Sequence, residues 1–155
     1  MTENVFINVK NRSHMVTADV LVPDKGVEGV ILAQAGRFGG WSLYVKDGKP
    51  AYTYNCLDQK RTSIASVEKL VPGKATIVSD FAYEGGPTPG KGGVGSISVN
   101  GKKVGEGRIA ATNCWMSSLD EGTDVGRDDG TPVTEEYKVP FAFTGAIQKV
   151  EVKLR

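Results

Sequence analysis

The sequence predicts an all-β fold, an antiparallel β-sandwich of the jelly-roll kind, formed as a single domain over residues 1–155. Three observations carry that prediction. Short stretches of alternating apolar and polar residues follow one another along most of the chain, the period-two signature of strands with one buried face. Twenty glycines and seven prolines fall between those stretches rather than in one block, as turns between many strands require. No stretch carries the apolar spacing of an amphipathic helix.

In order along the chain, Met15 to Val22 sets Val16, Ala18, Val20 and Val22 against Thr17, Asp19 and Leu21, and Pro23-Asp24-Lys25-Gly26 reads as a turn. Glu28 to Ala35 is a nearly continuous apolar run, the pattern of a strand buried on both faces. Gly36 to Asn55 is a hairpin. Trp41, Leu43 and Val45 alternate with Ser42, Tyr44 and Lys46, Asp47-Gly48 supplies the positive φ of a tight turn, and Tyr52 and Tyr54 continue the alternation on the return strand. A weaker strand is expected over Arg61 to Ser66, then a turn at Pro72-Gly73-Lys74 and a strand over Ala75 to Tyr83. Gly85 to Gly95, with six glycines and two prolines, is expected to be a loop. Ser96 to Val99 and Lys102 to Ile109 flank Asn100-Gly101, the strongest short hairpin signal in the chain. Thr112 to Tyr137 reads as irregular and acidic, with a short strand near Val125, and Phe141 to Leu154 closes the chain as a strand. In such a sandwich the first and last strands are placed to pair side by side, as suits a module appended to something else.

Composition excludes several functions. Nineteen basic against eighteen acidic residues, intermixed along the chain, leave no basic stripe for nucleic acid. No apolar run is long enough to span a bilayer, so no membrane association is expected. The N-terminal residues M-T-E-N-V-F-I-N-V-K-N-R lack the regions of a signal peptide, so the chain reads either as cytoplasmic as it stands or as a fragment whose targeting segment lies elsewhere. Cys56 and Cys114 read as two half-buried thiols, with a disulfide across the sandwich as the alternative. A single histidine, His14, cannot build a histidine metal cluster and reads as a strand-edge residue. No serine sits in a nucleophile elbow, and G-K-G-G-V-G-S-I at Gly90 to Ile97 lacks the spacing of a phosphate-binding loop. The chain is therefore not expected to be an enzyme.

Two constellations remain as candidate binding sites. The aromatics of the hairpin, with polar neighbours, suit a carbohydrate platform, since sugar C–H faces stack on rings while Arg and Asn reach hydroxyl or sulfate oxygens. The candidates are Arg37, Tyr44, Tyr52, Tyr54, Asn55 and Arg61. The alternation places Trp41 with the core and Tyr44, in phase with Ser42 and Lys46, on the exposed side; the plainer reading makes these aromatics core and cross-strand pairs. The acidic segment Asp120 to Gly130 holds five carboxylates and three glycines. It would suit Ca²⁺, which takes roughly six to eight oxygens, through Asp120, Asp124, Asp128 and Asp129. The spacing is not that of an EF-hand loop, and turn and cap roles, with Asp124 or Asp128 paired to Arg127, are the alternative.

Four segments, K-N-R-S-H-M-V-T-A-D-V, G-V-I-L-A-Q-A-G-R-F-G-G-W-S-L-Y-V-K-D-G-K-P-A-Y-T-Y-N, V-N-G-K-K-V-G-E-G-R-I and D-V-G-R-D-D-G-T-P-V-T-E-E-Y, resemble the C-terminal region of a group of bacterial arylsulfatases, over about Asn11 to Leu154. The resemblance implies a concanavalin A-like sandwich that follows a catalytic domain of alkaline-phosphatase type. It carries no active site over to this chain. The formylglycine-forming motif C/S-x-P-x-R matches neither Cys56 (C-L-D-Q-K) nor Cys114 (C-W-M-S-S). The implied function is a non-catalytic accessory domain that binds glycan or packs on a catalytic domain or another partner. A stand-alone lectin-like module and a ligand-free oligomerisation domain, pairing with further copies of itself, are the alternatives.

Overall fold

The computed structural model describes residues 13–36, 39–56, 60–85, 91–111, 123–126, 133, 137 and 141–154. Among them lie ten strands: β1 (His14–Val22), β2 (Gly29–Gly36), β3 (Gly39–Lys46), β4 (Lys49–Cys56), β5 (Lys60–Ala65), β6 (Gly73–Tyr83), β7 (Lys91–Val99), β8 (Lys102–Ala111), β9 (Thr123–Val125) and β10 (Ala146–Leu154). They form two five-stranded antiparallel sheets, β10-β1-β6-β7-β8 and β5-β4-β3-β2-β9. The first and last strands do pair, with His14 opposite Leu154 and Thr17 opposite Glu151.

The two hairpin turns form as their residues require. Asp47 and Gly48 take φ of 53° and 78°, Asn100 and Gly101 φ of 51° and 84°. Two successive left-handed residues match the twist of the flanking strands, and Asp, Asn and Gly tolerate them best.

The core lies between the sheets. Val16, Ala18 and Val20 of β1, Ile77 of β6 and Ile97 of β7 meet Leu32 of β2, Trp41 and Leu43 of β3, Tyr52 of β4 and Ile64 of β5. Trp41 stacks on Tyr52 with ring centroids 6.0 Å apart and donates its indole N–H to Gln34 Oε1 at 2.8 Å, so the polar end of the ring is satisfied inside. His14 is not at a strand edge facing water. It is 4% exposed, between Trp41 and Phe81 with ring centroids at 6.2 and 5.5 Å.

The expectation of a loop over Gly85 to Gly95 is corrected in its second half, because β7 starts at Lys91. Its glycines are there for space. A Cβ on Gly93 would run into the Ala82 carbonyl and the Phe81 ring, and one on Gly95 would meet Ile64 Cδ1 of the facing sheet at 2.5 Å. Turn composition and close sheet packing select the same residue, and the sequence alone does not separate them.

Tyr52 gives the fold a pH dependence at the alkaline end. Burial, and secondarily the neighbouring Tyr54 hydroxyl, hold its phenol well above the ordinary value of 10.0. The folded chain keeps this proton when the unfolded chain has lost it, so the stabilisation is complete below the unfolded value and is lost as pH rises above it. Melting temperatures between about pH 9 and pH 11 are expected to fall for the native chain and to fall less steeply for Tyr52→Phe. Parallel curves would show that Tyr52 ionises freely in the folded state.

Candidate functional site

The strand alternation of the second sheet gives it two unlike faces. Trp41, Leu43, Tyr52 and Tyr54 point into the core, while Ser42, Tyr44, Lys46, Ala51, Thr53 and Asn55 share the outer face. The register adds neighbours to that outer face. Tyr44 lies between Val30 and Ala51, Thr53 opposite Ser63, and Asn55 opposite Arg61. Asp124 on β9 is opposite Ala33. The fold therefore brings Tyr44 and Asn55 to one face and sends Tyr52 and Tyr54 to the other, with Arg61 and Asp124 placed by strand register alone. Arg37 and the acidic residues Asp120, Asp128 and Asp129 lie outside the described residues, and among the described residues no group of three or more metal-ligating side chains converges.

The expected exposure of Tyr44 is corrected. Tyr44 is 2% exposed and Asn55 is 0% exposed, although both are on the outer face. Val133, Tyr137 and Phe141 cover them. Tyr137 meets Tyr44 edge-on at 5.1 Å and stacks on Phe141 at 5.0 Å, forming a second small core with Val30, Ala33 and Ala51. Polar groups seal the contact. Tyr137 donates its hydroxyl to Ser42 Oγ at 3.0 Å, and Asn55 donates through Nδ2 to the Val133 carbonyl at 3.0 Å. Tyr52 and Tyr54, at 3% and 8% exposed, are core residues. No exposed aromatic platform forms among these three tyrosines.

The part of the outer face next to this cover is open. A groove of about 270 Å³ is bounded by Tyr44, Lys46, Asp47, Lys49, Ser63 and the alanines Ala51 and Ala65. Behind its wall the Tyr44 and Ser63 hydroxyls are joined through the buried Thr53, with Tyr44 Oη 2.9 Å from Thr53 Oγ1 and Thr53 Oγ1 2.7 Å from Ser63 Oγ. Ser63 is exposed and ends this series at the solvent side. The β3–β4 hairpin places Lys46 and Lys49 opposite one another at the rim. Two ammonium groups, the Ser63 hydroxyl and a wall of small apolar side chains can hold a small polyhydroxylated ring with an anionic substituent. Of these residues only Tyr44 was singled out in the sequence. The in-phase positions Ser42, Lys46, Ala51, Thr53 and Ser63 carried the signal, without an aromatic to mark it.

No protein-family model matches the sequence, and no curated protein matches it. Solved structures do. The chain is similar to the CBM40 of the Ruminococcus gnavus IT-sialidase bound to alpha2,3 sialyllactose, with a TM-score of 0.62 at 10% identity, over 92% of this chain and 76% of that one. It is similar to domains LG4-5 of the mouse laminin alpha1 chain, with a TM-score of 0.64 at 13% identity, over 97% of this chain and 38% of that one. It is also similar to the SAP-like pentraxin of Limulus polyphemus, with a TM-score of 0.52 at 16% identity, over 91% of this chain and 63% of that one. The chain thus spans less than two thirds of the pentraxin and of the laminin segment. Together with the two packed antiparallel sheets, these likenesses define the class: a concanavalin A-like β-sandwich of the jelly-roll kind.

Proposed function

We propose that this chain is a non-catalytic module that binds an anionic glycan in the groove on the outer face of its second sheet. The observation that carries the reading is the groove itself, where Lys46 and Lys49, paired across the hairpin, share the lining with the exposed Ser63 hydroxyl and the small side chains of Ala51 and Ala65. The Ser63 hydroxyl can donate to and accept from a sugar hydroxyl, while the lysines favour a carboxylate or sulfate on the same ring. The sandwich class agrees with this reading, since a similar structure is a CBM40 with a sialyllactose bound. The resemblance of G-R-F-G-G-W-S-L-Y-V-K-D-G to the C-terminal region of bacterial arylsulfatases supports a finer version, in which the module serves a sulfated-glycan hydrolase as an accessory domain.

Calorimetric titration with lactose, 3′-sulfated lactose and 3′-sialyllactose tests it. Saturable binding of at least one anionic sugar is expected, with lactose weaker by about tenfold or more. Lys46→Ala/Lys49→Ala should remove that preference while the melting temperature moves by no more than about 2 °C, because both side chains are only half-buried at the groove's rim. Equal binding of the neutral and anionic sugars, or binding by none of them, would overturn the reading.

A further inference from the structure

Beside the groove, across the Asp47-Gly48 turn, lies a larger cleft of about 550 Å³ at the end of the sandwich. Asp47 borders both spaces. The cleft is built from loops of four elements held by backbone bonds. The β3–β4 turn is tied to the β5–β6 connection by Leu70 N donating to the Gly48 carbonyl at 2.7 Å. The β1–β2 turn closes through Gly26 N to the Pro23 carbonyl at 2.9 Å, and its exit is tied to the segment before β10 by Glu28 N donating to Thr144 Oγ1 at 3.0 Å and Thr144 N to the Glu28 carbonyl at 2.8 Å. These bonds preform the walls.

The charges lining the cleft differ in behaviour from those around it. On neighbouring surface, Lys102 pairs with Glu68 at 2.7 Å and Lys103 with Glu106 at 2.7 Å. Asp24, Glu28 and Asp47 share the cleft with Lys25 and Lys69, yet none of these five is among the residues paired within 4.0 Å in the described part of the chain. Leu70, half-buried, adds an apolar surface. Spaced carboxylates and ammonium groups around an apolar wall match a neutral sugar, whose hydroxyls donate to the first and accept from the second while its C–H face covers the third. Three carboxylates against two ammonium groups do not favour an anionic ring there, in contrast to the lysine-rimmed groove.

We propose that the ligand is an extended oligosaccharide, with its anionic unit in the groove beneath Lys46 and Lys49 and its neutral units continuing over Asp47 into the end cleft. This rests on the glycan-binding reading and adds the length, charge pattern and direction of the chain. Two adjoining subsites occupied by one chain gain affinity from linkage, because the second contact no longer costs a separate association.

The test is a calorimetric series with one terminal sulfate and increasing neutral length: galactose 3-sulfate, lactose 3′-sulfate and a tetrasaccharide sulfated on its terminal galactose. Affinity should rise by at least about tenfold from the first to the last. In Asp24→Asn/Lys69→Ala, both at exposed positions, the series should collapse towards one value, whereas Lys46→Ala/Lys49→Ala should weaken every member. Affinity independent of length, or a length gain that survives in Asp24→Asn/Lys69→Ala, overturns the extended path and leaves the groove standing. Binding of no member overturns the groove and the path together.

Discussion

Trp41→Ala is expected to destabilise the chain by about 3–5 kcal/mol, the cost of truncating a large aromatic in a packed core. Trp41 is 2% exposed at the centre of the inter-sheet contact. Its removal takes away the stack on Tyr52 and the contact with His14, and leaves the buried Gln34 Oε1 without the indole N–H that it accepts from at 2.8 Å. The unpaired amide oxygen adds to the cavity, because a buried acceptor stripped of its donor bears its full desolvation cost. At this chain length the melting temperature should fall by roughly 10 °C or more. Trp41→Phe keeps the ring stack but not the donor and should fall between the two. An unchanged denaturation midpoint for Trp41→Ala would place the indole outside the core, against the alternation that put it there.

That alternation shows how much was legible. Period two is a local property of the chain, so the core faces of β1, β3 and β6 could be read residue by residue, and the Asp47-Gly48 and Asn100-Gly101 turns follow from backbone preference alone. What alternation cannot give is what lies against the second face. The four-residue run Val30-Ile31-Leu32-Ala33 did signal that β2 is covered on both sides, and all four are buried. The same inference applies to Tyr44, one strand away, but Ser42 and Lys46 flank it and read as a solvent face. The cover comes from Val133, Tyr137 and Phe141, about a hundred residues downstream in a polar, irregular segment with no period to read. The lysine-rimmed groove and the end cleft are equally non-local. The groove is lined by three strands and the cleft by turns between separate strands, and their residues, Asp24, Lys49, Ser63 and Lys69 among them, are individually ordinary surface residues.

Tyr44→Ala separates a buried outer face from an exposed ligand anchor. An exposed anchor would cost affinity and almost no stability. Buried as it is against Tyr137, Tyr44 should instead cost about 2–4 kcal/mol on truncation, through lost ring packing and the cavity beneath Tyr137. Tyr44→Phe removes the hydroxyl and its contact to Thr53, which keeps Ser63 as a partner, and should cost about 1 kcal/mol. The contact itself is measurable. Tyr44→Ala and Tyr137→Ala each break the same edge-on pair, so their combined cost should fall short of the sum by about 0.5–1.5 kcal/mol. Strict additivity would mean that Tyr137 does not rest on Tyr44 in solution, and that the outer face of the second sheet is open across its width. Any loss of sugar binding in Tyr44→Ala then needs its stability measured alongside, because a chain that has lost this cover has also lost the floor on which the groove stands.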